Sequence, residues 1–319
     1  ARLLDAPNLV ARALVADGRV VAVALLAREG GLDPETRRRM YEGERVRGNM
    51  VPDVLTSQLR DEAAAAPRGL RTVRIATHHA LRDAGFGSRL LDEVHAEFGG
   101  GRGEEGGDRA GDEDALDYFS VGYGATPRLL RFWRRAGYRT VHLSTSRNDA
   151  SGEYSAVMLR PETEAGRDLL DRHAVAFRDR ERDGLSDAHR DVDPDVVRGA
   201  LRACSAPTPI DLTETEWRSV VGASVGPGMY DSAPGAFRDL ALAALIEGGS
   251  ADGLGLDDRA ERLLVRKVLQ GRPWEAVADE LGFVSTSACM RALGGAYVPL
   301  VERYGTEFAL RERERFISE

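Results

Sequence analysis

The chain has 319 residues, 42% of them apolar, and a formal net charge of −8. That size suits one large or two smaller globular domains, and no apolar run approaches the roughly 18 residues of a membrane helix. The acidic balance argues against non-specific nucleic-acid binding over the whole surface, while leaving room for a local arginine patch.

Of the 44 basic residues only Lys267 is lysine. Arginine at this ratio fits a high-GC genome, and the aspartate surplus a salt-adapted cytoplasm. The two cysteines, Cys204 and Cys289, have no Cys or His neighbours at metal spacing, so a reducing compartment and no metal site are expected. The start, Ala1-Arg-Leu-Leu-Asp, has neither a Met nor a signal-peptide pattern and reads as the middle of a longer protein.

Apolar, β-branched runs at 10–15 and 20–27 flank Asp17-Gly18 and predict a hairpin. Short helices are expected at 37–41 and 54–59, joined by the arginine loop Arg45-Val-Arg47-Gly-Asn49. Residues 72–77 read as a buried strand, and 88–98 as an amphipathic helix with Leu90, Leu91, Val94 and Phe98 on one face. The stretch 99–117 is dense in Gly, Asp and Glu and reads as a flexible surface loop. A strand follows at 116–124. Thr126-Pro127 then opens a helix at 128–136 that Gly137 ends, and strands are expected at 138–145 and 154–159.

Past Pro161 the pattern turns helical: 162–182, a polar linker, 195–204, a capping box at Thr213-Glu-Thr-Glu216, then 237–247 and 257–269. Residues 269–293 have the punctuation of a helix-turn-helix. The chain thus divides at about 161 into an α/β part with a mixed sheet and an α-helical tail, residues 162–319.

The chemistry concentrates at Arg82-Asp-Ala-Gly85-Phe-Gly87-Ser88, a glycine turn between strand and helix. Helix N-termini with glycines upstream hold phosphates through their backbone N–H groups. A Walker loop needs Gly-Lys-Ser/Thr, and Gly87 is followed by Ser-Arg. A Rossmann loop needs a third glycine directly after the strand, which is missing. Arg-x-x-Gly-x-Gly, within a β-β-…-β-α-β-α-β-β order, resembles the pyrophosphate loop of the GNAT acetyltransferases, which bind acetyl-CoA.

Longer strings narrow the resemblance. "RVRGNMVPDVLTSQLR", "VRIATHHALRDAGFGSRLL", "DYFSVGYGATPRLLRFWRRAGYRTVHLS" and "ASGEYSAVMLRP" together look like the tRNA(Met) cytidine N4-acetyltransferases of TmcA type, related to the eukaryotic RNA cytidine acetyltransferases. The tail string "LLVRKVLQGRPWEAVADELGF" is similar to haloarchaeal members. The resemblance implies a GNAT fold over 1–161, its first elements missing. It implies acetyl-CoA-dependent formation of N4-acetylcytidine at the wobble cytidine of elongator tRNA(Met), with other RNAs such as rRNA as further targets. It also implies a cytoplasmic protein, and an N-terminal helicase-like module that uses ATP and is absent from this sequence.

Residue by residue, the resemblance implies backbone contact of Ile75, Ala76 and Thr77 with pantetheine. Arg82, Asp83, Ala84, Gly85, Phe86, Gly87 and Ser88 would cradle the diphosphate. Arg128 and Arg135 stand at positions implicated in acetyl-CoA contact, although Arg128 replaces a frequent Glu. The Tyr that protonates the leaving thiolate in many GNATs falls at Trp133, which leaves Tyr123 or Tyr138 as donors. His78, at the end of the docking strand, is the candidate general base, because an amide-like cytosine amine benefits from one. Arg45, Arg47 and Asn49 are expected at the mouth of the site. Arg266, Lys267, Arg272 and Arg291 are expected to touch RNA from the tail. A GNAT acting on a small amine or protein N-terminus, and a helix-turn-helix DNA-binding regulator, are the rival classes; the "GATPRLLRFW" string disfavours both.

Overall fold

The computed structural model describes residues 8–99, 115–149, 151–248 and 254–317. Most of the acidic glycine-rich stretch lies outside them. Six strands form one mixed sheet: β1 (Leu9–Ala16), β2 (Arg19–Gly30), β3 (Arg68–Thr77), β4 (Tyr118–Gly124), β5 (Arg139–Arg147) and β6 (Tyr154–Pro161), in the order β1-β2-β3-β4-β6-β5. The helices before the tail are α1 (Pro34–Tyr41), α2 (Met50–Asp53), α3 (Phe86–Gly99) and α4 (Pro127–Arg135). Asp17 and Gly18 both have positive φ, 49° and 72°, which matches the twist of a tight hairpin between β1 and β2.

The chain folds as two compact units that do not divide at one chain position. The first takes residues 1–124, 131–143 and 155–174; the second takes 125–130, 144–154 and 175–319. In the first unit one core layer joins Val51 and Leu55 to Tyr118, Val141, Val157, Leu159 and Leu169, all buried. The run 50–58 earns this placement by its apolar spacing. It leaves the α-helix for a π-turn over Val54–Gln58, closed by the Leu59 N–H on the Val54 carbonyl at 3.0 Å. On β3, Gly69 is required because a Cβ there would lie 2.4 Å from the Tyr118 ring.

The second unit is helical: α5 (Glu164–Gly184) enters it, followed by α6 (Pro194–Arg202), α7 (Glu214–Val225), α8 (Pro234–Glu247), α9 (Asp258–Leu263), α10 (Trp274–Glu280), α11 (Thr286–Tyr304) and α12 (Glu307–Ile317). The Thr213–Glu216 capping box forms as its residue types dictate. Gly294 lets α11 approach α7, since a Cβ would meet the Ala223 carbonyl oxygen at 2.4 Å. Cys204 and Cys289 are both buried thiols.

A buried histidine anchors this unit. His189 Nδ1 lies 2.8 Å from Glu181 and Nε2 lies 3.1 Å from the Ser144 carbonyl. Both partners only accept, so both ring nitrogens donate and the ring is an imidazolium. Burial opposes that charge, but the Glu181 carboxylate and the Ser144 carbonyl outweigh it, and the pKa is raised above 6.5. A raised folded pKa means the stabilisation is complete below 6.5 and drains away as pH rises through the folded value. Thermal unfolding followed from pH 6 to 9 should therefore show a falling melting temperature, flattened in His189→Gln. An equal slope in the variant would dismiss the histidine as the cause.

Candidate active site

The sheet opens at its centre. β3 and β4 are parallel and pair only from Gly69–Tyr118 to Thr72–Val121, although β3 continues to Thr77 and β4 to Gly124. The parting coincides with a bulge. Leu25 of β2 opposes Arg74 while Leu26 opposes Thr72, so Val73 has no opposite residue, and bulges turn the strand that carries them. Beyond it, β3 is laddered only to β2, through Ala22–Thr77, and β4 only to β6, through Gly124–Ser155. Ile75, Ala76 and Thr77 thus line a wedge-shaped gap where a strand is missing. An extended ligand with amides of its own fits such an edge.

The glycine loop closes the wide end. Asp83 and Gly85 take positive φ of 65° and 84°, which turns the chain into α3. The first helical bond runs from the Arg89 N–H to the Gly85 carbonyl at 3.0 Å, so the N–H groups of Phe86, Gly87 and Ser88 lie ahead of the ladder. A Cβ on Gly85 would meet nothing within 4 Å, and one on Gly87 would sit 3.3 Å from Thr77 Oγ1 and 3.8 Å from the Phe132 ring. Open space at Gly85 and a tight seat at Gly87 leave bare backbone facing outward, the cradle a diphosphate needs. Arg82, Asp83, Ala84 and Ser88 are exposed around it. Phe132 ties α4 to this loop, and helical spacing puts Arg128, four residues before it, and Arg135, three after, on the same face of the helix. Both arginines are exposed.

His78 directly follows the last residue of β3. It stands six residues past Thr72, about 20 Å along an extended strand, at the loop end of the wedge. Its N–H bonds the Val21 carbonyl at 2.8 Å, and its Nδ1 accepts from the Ala80 N–H at 3.4 Å. These bonds fix it at the start of the loop.

Of the two tyrosines, Tyr138 is fully buried, with its hydroxyl 3.1 Å from His95 Nε2 and its ring edge-on to Trp133. Burial, aided by the Arg160 charge, pushes the His95 pKa down to about 4. Trp133 is 2% exposed. Tyr138 and Trp133 are therefore core. Tyr123 lies on the part of β4 that has left β3, half-buried, donating to the Met158 sulfur at 3.0 Å; burial raises its pKa and keeps its proton on.

At the narrow end a cavity of about 440 Å³ is lined by Arg45, Arg47, Asp53, Gln58 and Arg71 among others. Arg45 and Arg47 meet there. Asn49 is a strut: its Oδ1 accepts the Gly30 N–H at 2.8 Å and its Nδ2 donates to the Arg47 carbonyl at 3.3 Å. Sequence reading missed Asp53, Gln58 and Arg71. A signal existed, for Glu29 and Arg71 are charges inside apolar strands. Glu29 is buried, taking the Arg71 Nε at 2.5 Å and the Val51 N–H at 3.0 Å.

In the tail, α10 and α11 form the helix-turn-helix, with Gly282 at φ 69° and Ser285 capping α11. Its candidate cations are not gathered on one surface. Arg266 bonds Glu280 and Gln270, Arg272 pairs with Asp191, and Lys267 is buried with its ammonium 4.4 Å over the Trp274 ring. Arg291 is exposed, and α10 adds Glu275, Asp279 and Glu280. Three of the four expected RNA contacts are thus held by internal partners. Among the described residues no group of His, Cys, Asp and Glu is placed to hold a metal, and no helix is long and apolar enough to cross a membrane.

The profile of the family GNAT acetyltransferase 2 matches residues 11–110 and 108–163. The protein named tRNA(Met) cytidine acetyltransferase TmcA of Haloferax volcanii is 61% identical over 99% of this chain and 40% of its own length. Its namesake in Haloarcula marismortui is 52% identical over 99% of this chain and 39% of its own. Among solved structures, the ribosomal-protein-S18-alanine N-acetyltransferase of Escherichia coli aligns at a TM-score of 0.31 and 10% identity, covering 50% of this chain and 72% of that one. The chain spans about two fifths of the length of the curated relatives it matches. The parted strands, the glycine cradle and the profile match make residues 11–163 a GNAT acetyltransferase domain, and over nearly its whole length the chain is similar to about two fifths of the TmcA proteins.

Proposed function

We propose that the chain carries the acetyl-transfer centre of an RNA cytidine acetyltransferase, which converts the wobble cytidine of elongator tRNA(Met), and cytidines of other RNAs such as rRNA, to N4-acetylcytidine. The observation that carries this reading is the parting of β3 from β4 beside the Gly85–Gly87 loop. It supports acetyl-CoA as the donor because the two features match its two halves: amide-bearing pantetheine along Ile75–Thr77 and diphosphate on the N–H groups of Phe86–Ser88. The relatives' names support tRNA(Met) cytidine as the acceptor.

Acetyl-CoA supplies an acetyl group activated as a thioester. The chain's residues do the rest. The loop and the exposed Arg82, Arg128 and Arg135 hold the charged end. Backbone N–H groups of β3 past the Val73 bulge are the donors available to a carbonyl at the apex. Tyr123, with its proton held on by burial, is the acid on the stretch of β4 parted from β3. His78 shapes the loop. ATP use and helicase-like action are assigned to a module outside this sequence, since no Gly-Lys-Ser/Thr loop occurs here. A tRNA-modifying role puts the protein in the cytoplasm.

The test is nucleoside mass spectrometry of tRNA and rRNA from a host lacking the gene and from the same host with the full-length gene restored. N4-acetylcytidine should vanish in the first and return in the second. An unchanged level in the deletion would overturn the cytidine assignment.

A further inference from the structure

We propose that the cavity between the Arg45–Asn49 loop and the π-turn is the pocket for the target cytosine, with Asp53 and Gln58 reading its amine edge. The inference rests on the RNA cytidine reading.

Position comes first. Arg71 on the cavity wall immediately precedes Thr72, the last β3 residue paired with β4. Met50, also on the wall, reaches over Gly122, the first β4 residue past the pairing; its Cε lies 2.4 Å from where a Cβ would be. The cavity therefore opens at the apex of the wedge, where a nucleophile must stand to reach a thioester held between the strands.

Chemistry comes second. Cytosine offers an N4 amine donor beside the N3 and O2 acceptors, and carboxylates suit that amine. Asp53 is the one acid among the lining residues, set against Arg45, Arg47 and Arg71. It spends little of its capacity internally: one carboxylate oxygen takes the Ser57 hydroxyl at 3.3 Å. Arginine and Gln58 supply donors for N3 and O2. Uracil would turn its O4 acceptor toward Asp53 and be repelled. Arg45 and Arg47, exposed at the rim, suit the flanking phosphates.

Construction comes third. Gln58 closes the π-turn that begins at Val54, and such turns recur at functional sites. The opposite wall is fixed by the Asn49 strut, and the base of the cavity by the Glu29–Arg71 pair. A pocket held this firmly is suited to an unstacked base, as enzymes acting on bases require.

The experiment uses the full-length protein and two short RNAs that differ only in C or U at the modified position. Binding of both is measured by competition, with acetyl-CoA affinity by calorimetry and melting temperature as controls. Wild type should prefer the C RNA by roughly 10- to 100-fold, and Asp53→Asn, the same size but able to donate to O4, should bring that ratio near or below one. Acetyl-CoA affinity should stay within about twofold, since the lining of the cavity includes neither the glycine loop nor Ile75–Thr77. Gln58→Ala should weaken the C RNA about tenfold with the same controls unchanged. A full C preference in Asp53→Asn would overturn the pocket while leaving the RNA reading intact. A wild-type protein that forms no N4-acetylcytidine on either RNA or on cellular tRNA would overturn the RNA reading, and the pocket with it.

Discussion

Gly85→Glu in the full-length protein should weaken acetyl-CoA binding at least 100-fold, while the fold survives. The backbone at Gly85 has φ 84°, and forcing a side chain there costs on the order of 1–2 kcal/mol. That alone is about tenfold in affinity if the loop answers by shifting. The larger effect is charge. The N–H groups of Phe86, Gly87 and Ser88 lie ahead of the α3 ladder and point at whatever fills the loop. A carboxylate at position 85 occupies those donors from within and faces a doubly charged diphosphate across a few ångströms. Folding is spared because a Cβ at Gly85 meets nothing within 4 Å. Gly85→Ala separates the two causes: strain without charge, hence roughly tenfold or less. Calorimetry with acetyl-CoA reads both variants. Binding of Gly85→Glu within threefold of wild type would remove the loop from the acetyl-CoA site.

The parts of this site that were legible in the sequence are the local ones. The loop is seven consecutive residues whose glycines each answer a backbone demand, so the motif and the structure are nearly the same statement. The hairpin at Asp17-Gly18 and the capping box at Thr213–Glu216 are legible for the same reason. The parting of β3 and β4 is a matter of register between strands some fifty residues apart, and no spacing rule reveals that Val73 is a bulge. The cavity draws on three separate segments, so only the run Arg45–Asn49, continuous in sequence, was visible. His78 is legible as the residue that follows the docking strand, but at about 3.3 Å per extended residue its reach to an acetyl group depends on where along the wedge the thioester sits, which spacing does not give. In the tail the sequence displays cations but not their partners: Arg272 and Asp191 are 81 positions apart.

Removing Arg198 should have the largest effect on stability. Arg198 joins α6 to α9 with a side chain only 5% exposed, facing Glu261 at 7%. Its Nε donates to Glu261 at 2.7 Å, and its two terminal nitrogens reach Asp195 at 2.7 Å and Asp258 at 2.5 Å. Arg202 takes the other side of Glu261, and Arg262 takes Asp195 at 2.8 Å. Three cations thus face three anions. Such a network adds little over a well-packed apolar core, but removing Arg198 leaves the buried Glu261 to Arg202 alone, a loss toward the lower end of the about 3–5 kcal/mol for a buried pair broken from one side. Arg198→Met, similar in length and without charge, should therefore lower the melting temperature by roughly 10 °C for a unit of this size. Arg198→Met with Glu261→Met should recover most of that loss, because no buried charge remains unpaired. The pH dependence has the opposite sign to that of His189. Hydrogen bonds from Arg262 and Arg198 depress the Asp195 pKa, and those from Arg198 depress that of Asp258. Their contribution is present above the ordinary carboxylate value of 3.8 and is lost as pH falls through the lower folded values. The double variant should lose the Asp258 part of that acid sensitivity, while Asp195 keeps Arg262 and its share. A melting temperature within 2 °C of wild type in Arg198→Met alone would show that α6 and α9 are held together by their apolar contacts, with the arginine indifferent.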